Sequence, residues 1–537
     1  MTSLRPHLQR TEQRTQLIVD GKPLVLLSGE VHNSSASSLA YMAPVWTKLT
    51  ALHCNAAILP LTWELIEPEE GRFDFSLLDG LLTQARAHEM KVIFIWFGAF
   101  KNTRSTYAPA WVKTDTTRFP RAQEQPGQLY GEITVVCEEA CRCDARAFAA
   151  VMRHLKTVDA EQRTVVMMQV ENEVGLLSDG IDYSPLAQAA FAGPAPGELL
   201  QYLASHETEL HPRVRDPWLA HGRHLGGAWS TVFGEGAWEI FMAWSFASFV
   251  NRVATAGRTE YDLPMFANAW LATVEQRPGE YPSGGPVAHM IDIWRAAAPA
   301  LALLAPDIYL DDFAGVCKEY AQPGNPLVIP EVRLDQGVAA KALYAIGEFG
   351  AICYAPFGVE DLVLSLPHND GPCANPVADI SWVGAKTDGA QLFTATYAQL
   401  GEMMPVLTTY AGTNRSRGIL QQPGTSHDVL DIGGLRLTVE YQRPYHPEEP
   451  PAGGIIISPH DFEYHVIGYG FRLRFSLPED APLVGQHYEC GNIDFLEIWE
   501  GTWRQGEFVR GRRLNGDEYQ VQIGSAVGCR WMKLYRY

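Results

Sequence analysis

An α/β chain built on a (β/α)8 TIM barrel, with an all-β sandwich domain at its C-terminal end, is the fold class this sequence predicts. Three observations predict it. Eight short apolar strands recur between residues 24 and 354, helical patterns fill most of the gaps between them, and from Arg415 onward the pattern changes to strands and tight turns. Charged residues make up 19% of the 537, below the roughly 25% of an average soluble chain, which excludes a disordered chain, a coiled coil and a collagen-like fibre.

The eight strands are expected at Leu24–Leu27, Ala56–Pro60, Val92–Trp96, Val165–Val170, Met265–Asn268, Asp307–Leu310, Leu327–Pro330 and Ala351–Tyr354. Ser76 with Asp79 three positions on reads as a capping box, and Leu78, Leu81, Leu82 and Ala85 then recur on one helical face. Asp144 is expected to open the next helix, with Phe148, Val151, Met152 and Leu155 on its apolar side; Ala339–Ile346 gives another, and Ala390–Gly401 the last of the barrel. Trp238–Phe249 (WEIFMAWSFASF) reads as a core helix, with an oligomer contact as the alternative, and Trp63 as barrel packing. The barrel is expected over residues 1–412, well beyond the roughly 250 of a minimal one. Residues 100–135 and 176–235 are therefore read as long loops on its C-terminal rim.

The sandwich is expected over residues 413–537. Val429–Ile432, Gly433-Gly434 and Leu435–Tyr441 read as a hairpin, and Gly453–Ser458, Phe471–Ser476, Phe495–Trp499 and Tyr519–Ile523 follow, with Asn515-Gly516 as a second turn signal. Trp499, Trp503 and Trp531 fit core and sugar platform equally well.

Lys plus Arg number 42 against 62 Asp plus Glu, a formal net charge of −20, so nucleic acid is not an expected partner and a neutral substrate fits better. The longest apolar run, Lys91–Phe100 (KVIFIWFGAF), is too short to span a bilayer and reads as a buried strand, so no membrane partner is expected. The first twenty residues hold no apolar stretch resembling a signal peptide, and the expected location is cytoplasmic, or periplasmic where a leader has been trimmed. The nine cysteines are odd in number and scattered, unlike a disulfide framework. Cys137, Cys141 and Cys143 have a spacing that would suit three zinc ligands, but no fourth ligand stands near, and free thiols before a helix are the expectation.

The chemistry is concentrated in Gln169-Val170-Glu171-Asn172-Glu173-Val174-Gly175, where the fourth strand ends. A polar cluster at the end of an apolar barrel strand points to the pocket mouth. Side chains alternate along a strand, so Glu171 and Glu173 are expected to lean one way and Asn172 the other. Glu331, in Val328-Ile329-Pro330-Glu331-Val332-Arg333, ends the seventh strand. Strands four and seven would bring Glu173 and Glu331 to opposite sides of one pocket. Retaining glycosidases need that pair: an acid to protonate the leaving oxygen and a carboxylate to attack the anomeric carbon.

Asn-Glu ending strand four and Glu ending strand seven resembles the pattern of clan A glycoside hydrolases, and QVENEVG resembles the acid/base segment of glycoside hydrolase family 35, the β-galactosidases. Asp20–Pro23 with Ser28–His32 is similar to that family's first strand, and Asn55–Pro68 followed by Glu70–Phe75 to its second. The resemblance covers nearly the whole chain and is nearest the bacterial members with a short barrel-plus-sandwich architecture, some of which act in xyloglucan degradation. It implies that Glu173 is the acid/base, that Glu331 is the nucleophile, that Asn172 holds the sugar 2-hydroxyl and that Glu171 gives support behind them. The chain departs from the family in having Val174 where ENEYG has Tyr, and Trp96–Asn102 where the family has Cys-Ala-Glu-Trp. With the galactose-holding Glu of that segment missing, Glu30, Lys101 and Asn102 become the candidates for reading the 4- and 6-hydroxyls, rim ion pairs being the other reading. Trp96, Trp270, Tyr309 and Phe357 are candidates to floor the sugar site, and a Tyr hydrogen-bonded to the nucleophile is common in the clan, with Tyr309 placed for it.

The expected activity is thus a retaining β-galactosidase releasing terminal galactosyl residues from oligosaccharides. Two alternatives stand beside it: the same machinery on an arabinopyranoside, a fucoside or a glucoside, and a non-catalytic carbohydrate-binding protein. His289 and Asp292 are read as structural, since neither a His-x3-His pattern nor a nucleophile elbow accompanies them. No metal or organic cofactor is expected, because the chemistry needs two carboxyls and water. A dimer or trimer is the expected assembly.

Overall fold

The structure, a computed structural model, describes residues 5–125, 127–362, 387–485, 492–516, 518 and 521–537. Eight parallel strands close into a barrel: β1 Leu26–Glu30, β2 Ala56–Thr62, β3 Lys91–Lys101, β4 Val165–Asn172, β5 Met265–Trp270, β6 Leu303–Ile308, β7 Val328–Val332 and β8 Cys353–Pro356. Each pairs with its neighbours in chain order and β8 pairs with β1. Nearly every strand residue is buried, as a parallel sheet covered on both faces requires, and this is why the strands read as unbroken apolar runs.

Alternate residues serve two cores. Ile93, Ile95 and Phe97 of β3 join Ile58, Met167, Phe266, Ala305 and Val328 in one cluster inside the barrel, while Val92, Phe94 and Trp96 belong to the larger cluster shared with the helices. Leu17 and Val19 pack in the inner cluster too. They come from a three-stranded antiparallel sheet, His7–Arg10, Thr15–Val19 and Lys22–Leu24, that the sequence did not reveal. The opposite, C-terminal end of the barrel carries the long loops. After β3 come a short helix, Ala110–Thr114, and a hairpin, Arg121–Gln125 with Gln128–Ile133; after β4 come four short helices between Pro185 and Phe233.

Several expectations are corrected. The sixth strand was placed at Asp307–Leu310 but runs Leu303–Ile308, with Pro306 inside it opposite Ala269. Proline is uncommon inside a strand, since it has no N–H for the ladder. Ser76 is no cap: the helix Ser76–Ala87 already includes it, Asp74 Oδ1 accepts its N–H at 2.8 Å, and Asp79 pairs with His154. Asp144 does not open its helix, which runs Glu138–Asp159 and buries Asp144 on the barrel side. Helices Val338–Phe349 and Thr387–Glu402 stand where expected. The helix Ala237–Glu260 buries Phe241, Phe246 and Phe249, and Phe191 stacks on its Trp238 at 3.7 Å. Trp63 is buried, as expected, with its indole N–H on Glu67.

From Ser416 the chain forms a six-stranded and a four-stranded antiparallel sheet around one apolar cluster. The hairpin His427–Ile432 and Leu435–Tyr441 turns through Gly433 and Gly434 at φ +61° and +81°, which is why two glycines stand there. Of the strand expected at Tyr519–Ile523, Val521–Ile523 is seen; Tyr519 and Gln520 lie outside the described residues, as do Cys373 and Cys490. The other seven cysteines are buried free thiols. Gly453 lies against Ala340 and Gly347 against Ile455, so small residues let the six-stranded sheet approach the helix Val338–Phe349 closely. Trp503 is buried in the cluster shared with the barrel, and the Arg510 guanidinium covers the rings of Trp499 and Trp531 at 5.3 and 4.4 Å. None of the three offers an open sugar platform.

Candidate active site

All the groups that matter stand at the C-terminal ends of barrel strands. Glu30 ends β1, Lys101 ends β3, Asn172 ends β4 with Glu173 directly after it, Asn268 and Trp270 lie in β5, Asp307 in β6, and Glu331 in β7. Tyr309 follows β6, and Phe357 follows β8 and bridges to Glu30.

The end of β4 does not keep the alternation of a strand. Glu171 and Glu173 take left-handed backbone angles, φ +62° and +46°, on either side of Asn172, a conformation that costs non-glycine residues about 1–3 kcal/mol each. Glu171 and Glu173 therefore do not lean the same way. Glu171 turns behind the site, where it accepts the main-chain N–H groups of Ala99 and Phe100 at 3.2 and 2.7 Å. Asp144 lies beside it, taking the Ala99 N–H at 2.9 Å and the Trp96 indole N–H at 2.7 Å. Burial, and then the charge of Asp144, push Glu171 well above the ordinary carboxylate range. Together they clamp the far end of β3, which carries Lys101 and is followed by Asn102. Trp96 is thus no floor of the sugar site: it points outward, fully buried between barrel and helix.

Gly98 shows how tight this clamp is. A Cβ there would stand 2.5 Å from Glu171 Oε1 and 2.6 Å from Asp144 Oδ2. Gly98→Ala is expected to destabilise the fold by about 1–3 kcal/mol, because both side chains would have to leave their hydrogen bonds. A thermal melt of the variant beside the wild type measures it, and an unchanged midpoint would show that the clamp yields freely.

In front of the clamp, one oxygen each from Glu173, Asp307 and Glu331 lies within 4.8 Å of the other two, and all three residues are buried. Asn268 ties this group together. Its Nδ2 donates to Asp307 Oδ2 at 2.6 Å and to Asn172 Oδ1 at 3.0 Å, and its Oδ1 accepts the Glu173 main-chain N–H at 3.0 Å. Asn172 donates in turn to Asn102 Oδ1 at 2.8 Å, which also takes Lys101 Nζ at 2.5 Å. Tyr309 donates its O–H to Glu331 Oε2 at 3.1 Å. Three oxygens this close would draw a hard cation. Here the Asn268 amide donates to Asp307 and the Tyr309 hydroxyl to Glu331, and Lys101 supplies positive charge nearby, so hydrogen bonds already serve two of the three carboxyls.

Burial first, then the facing Glu173, push Glu331 up to about 8, with Lys101 and the Tyr309 hydroxyl pulling against them. Burial also raises Glu173, against Lys101 and a hydrogen bond with Asp307. Glu30 is raised well above the usual range by burial and then by Glu331, and its Oε1 meets no donor among the described residues. Three carboxyls at this spacing cannot all be ionised; they titrate as a unit. The hydroxyl of Tyr309 favours the charged form of Glu331. Tyr309→Phe is therefore expected to raise the Glu331 pKa further, moving the acid limb of kcat/KM to higher pH and lowering kcat/KM by about 10-fold. An acid limb that stays in place would show the hydrogen bond to be idle.

Trp270 is 41% exposed at the mouth beside Asp307, its partner across the strands. Phe357 is half-buried, edge-on to His32 at 5.2 Å, and His32 pairs with Asp361. Glu30, Lys101, Asn102, Asn172, Glu173, Tyr309 and Glu331 lie together at this end of the barrel. His289 and Asp292 lie apart: His289 bonds Glu239 at 2.7 Å and Asp292 accepts the His211 N–H. Sequence reasoning missed Asn268 and Asp307. The signal for Asp307 was present, since it stands two residues before Tyr309 and shares its face of the chain.

Residues 46–241 match the glycoside hydrolase family 42 profile, described as beta-galactosidase, and residues 393–524 match a profile described as a domain of unknown function. A curated beta-galactosidase from Xanthomonas manihotis is 28% identical over 183 residues, 32% of this chain and 27% of that protein, so the match spans only about a quarter of the relative's length. Among solved structures, the chain is similar to a beta-galactosidase from Bacillus circulans sp. alkalophilus at 13% identity, covering 72% of this chain and 57% of that one with a TM-score of 0.45. A beta-galactosidase of family 42 from G. stearothermophilus gives 15%, 73%, 58% and 0.46. The profile that matches is described, like the family the sequence resembles, as beta-galactosidase, and it is family 42 rather than family 35.

Proposed function

We propose that this chain is a retaining glycoside hydrolase, a β-galactosidase that releases terminal β-galactosyl residues from oligosaccharides, plant-glycan side chains such as those of xyloglucan among them. The observation that carries the reading is the approach of Glu173 and Glu331 within 4.8 Å across the barrel mouth. Oxygens of the two carboxyls that approach this closely favour the short separation of retaining enzymes, about 5–5.5 Å between carboxyl groups, over the about 6.5–9.5 Å of inverting ones. The family 35 resemblance implies both carboxyls, and the family 42 match, over residues 46–241, takes in the segment that holds Glu173.

Glu173 gives its proton to the glycosidic oxygen while the Glu331 carboxylate bonds to the anomeric carbon and the aglycone leaves. Water then attacks that carbon, Glu173 takes its proton, and the bond to Glu331 breaks. Asn172, held by Asn268 and Asn102, faces the sugar 2-hydroxyl. Glu30, Lys101 and Asn102 read the hydroxyls farther round the ring, and the unmatched Glu30 Oε1 suits a sugar O–H donor. Trp270 and Phe357 supply apolar faces at the mouth.

Proton NMR during hydrolysis of 4-nitrophenyl β-galactopyranoside tests the reading. The first sugar released should be the β-anomer; an α-anomer released first would contradict it. One observation favours a second reading. Lys101 and Asn102 fill the place where the resembling family holds galactose with a Glu, which suits another sugar, an arabinopyranoside, a fucoside or a glucoside. A nitrophenyl glycoside panel decides between them, with rapid cleavage of a glycoside other than the galactoside favouring the second.

A further inference from the structure

Asp307 has no part in a two-carboxyl reaction, yet it packs against both carboxyls. Its Oδ2 accepts the Asn268 amide. Its Oδ1 is sealed from solvent and meets no donor among the described residues. Around it stand acceptors, for Asp307 shares the 4.8 Å cluster with Glu173 and Glu331. An ionised carboxylate here would leave a charged oxygen unsatisfied beside two like groups. A carboxylic acid has an O–H to give, and carboxylate oxygens are there to take it.

We propose that Asp307 stands in the pocket as a neutral acid and is the positioning residue of the acid/base, giving its O–H to the Glu173 carboxylate. The inference rests on the reading of Glu173 as acid/base and Glu331 as nucleophile. When Glu173 has passed its proton to the leaving oxygen, the Asp307 O–H steadies the carboxylate that remains. When water attacks the glycosyl bond to Glu331, Glu173 takes the water proton, and the Asp307 proton never leaves. Asn268 fixes the pair, one side chain holding Asp307 Oδ2 and the Glu173 main chain.

The groups that face Asp307 are Glu331 from β7, Glu173 just after β4 and Glu30 from β1, with Tyr309 two residues further along the chain and Tyr320 from the helix Phe313–Tyr320. Burial, and then those three carboxyls, hold Asp307 well above the ordinary carboxylate range. Lys101 favours the charged forms of the other three.

The test is kcat/KM against pH for Asp307→Asn and Asp307→Ala, on the phenyl glycoside, whose leaving group needs protonation, of the sugar that the wild type cleaves fastest. Asn keeps a neutral N–H donor, so the alkaline limb is expected to stay in place with a loss of about 10-fold. Ala removes the donor. A hydrogen bond to the charged form holds a pKa down, so without it Glu173 keeps its proton to higher pH. The alkaline limb should then rise by about one unit, with a loss of about 100-fold. An alkaline limb that falls in Asp307→Asn would mean that an ionised Asp307 had been removed, and overturns the proposal. Equal losses in both variants with unmoved limbs would mean packing alone, and also overturn it. The nearly isosteric Asn variant keeps the test open where Ala fails to fold. The underlying reading fails differently: Glu173→Gln would then leave the alkaline limb untouched, or the wild type would be silent on every glycoside, and either removes the proposal too.

Discussion

Glu331→Ala is expected to lose at least about 10⁴-fold in kcat, because the covalent step has no other nucleophile. Tyr309 and Lys101 favour charge on Glu331, and Glu173 faces it across the pocket. The truncation also leaves a space in which a small anion can stand. Sodium azide should therefore restore turnover of an activated galactoside, with the product an α-galactosyl azide, since the anion attacks from the side that Glu331 occupied. Wild-type rates in Glu331→Ala, measured with purified and correctly melting protein, would remove the residue from the mechanism.

Glu173→Gln should separate substrates by their leaving groups. With methyl or phenyl galactoside, which need protonation, kcat/KM should fall about 10²–10⁴-fold. With 2,4-dinitrophenyl galactoside, which leaves unaided, the first step should be nearly spared and the second should limit. A burst of dinitrophenol followed by slow turnover is the expected trace. The alkaline limb of the pH profile, which reports the loss of the Glu173 proton, should disappear. Equal losses on all leaving groups would show that Glu173 acts on structure instead of on the proton.

The barrel was legible because its strands are buried on both faces and so read as apolar runs at regular intervals. The two outer carboxyls were legible because a charged residue ending such a run has one place to go. What escaped has particular causes. Trp96 was assigned to the pocket from its place in the run, but its parity with Val92 and Phe94 puts it outside. Glu171 was expected beside Glu173, and two left-handed residues undo that. Asp307 was taken as the start of the sixth strand, whereas it stands near the C-terminal end of Leu303–Ile308, where a side chain reaches the pocket. Asn268 could not be found from spacing alone, because its role is to bridge residues from β4 and β6. The three-stranded sheet packed with the barrel interior was missed because its strands are only three to five residues long and their aliphatic residues, Leu8, Leu17–Val19 and Leu24, make no regular alternation. In the sandwich, Glu507–Arg513 was passed over because an exposed edge strand carries charge where a central strand carries aliphatics.

Incubation with 2,4-dinitrophenyl 2-deoxy-2-fluoro-β-galactopyranoside, followed by peptic digestion and mass spectrometry, probes the central assignment most directly. The fluorine slows both steps and the good leaving group restores the first, so the glycosyl enzyme should accumulate. The fluorogalactosyl mass should appear on the peptide containing Glu331 and nowhere else. Full hydrolytic activity on the unsubstituted galactoside with the label on any other residue would contradict the account.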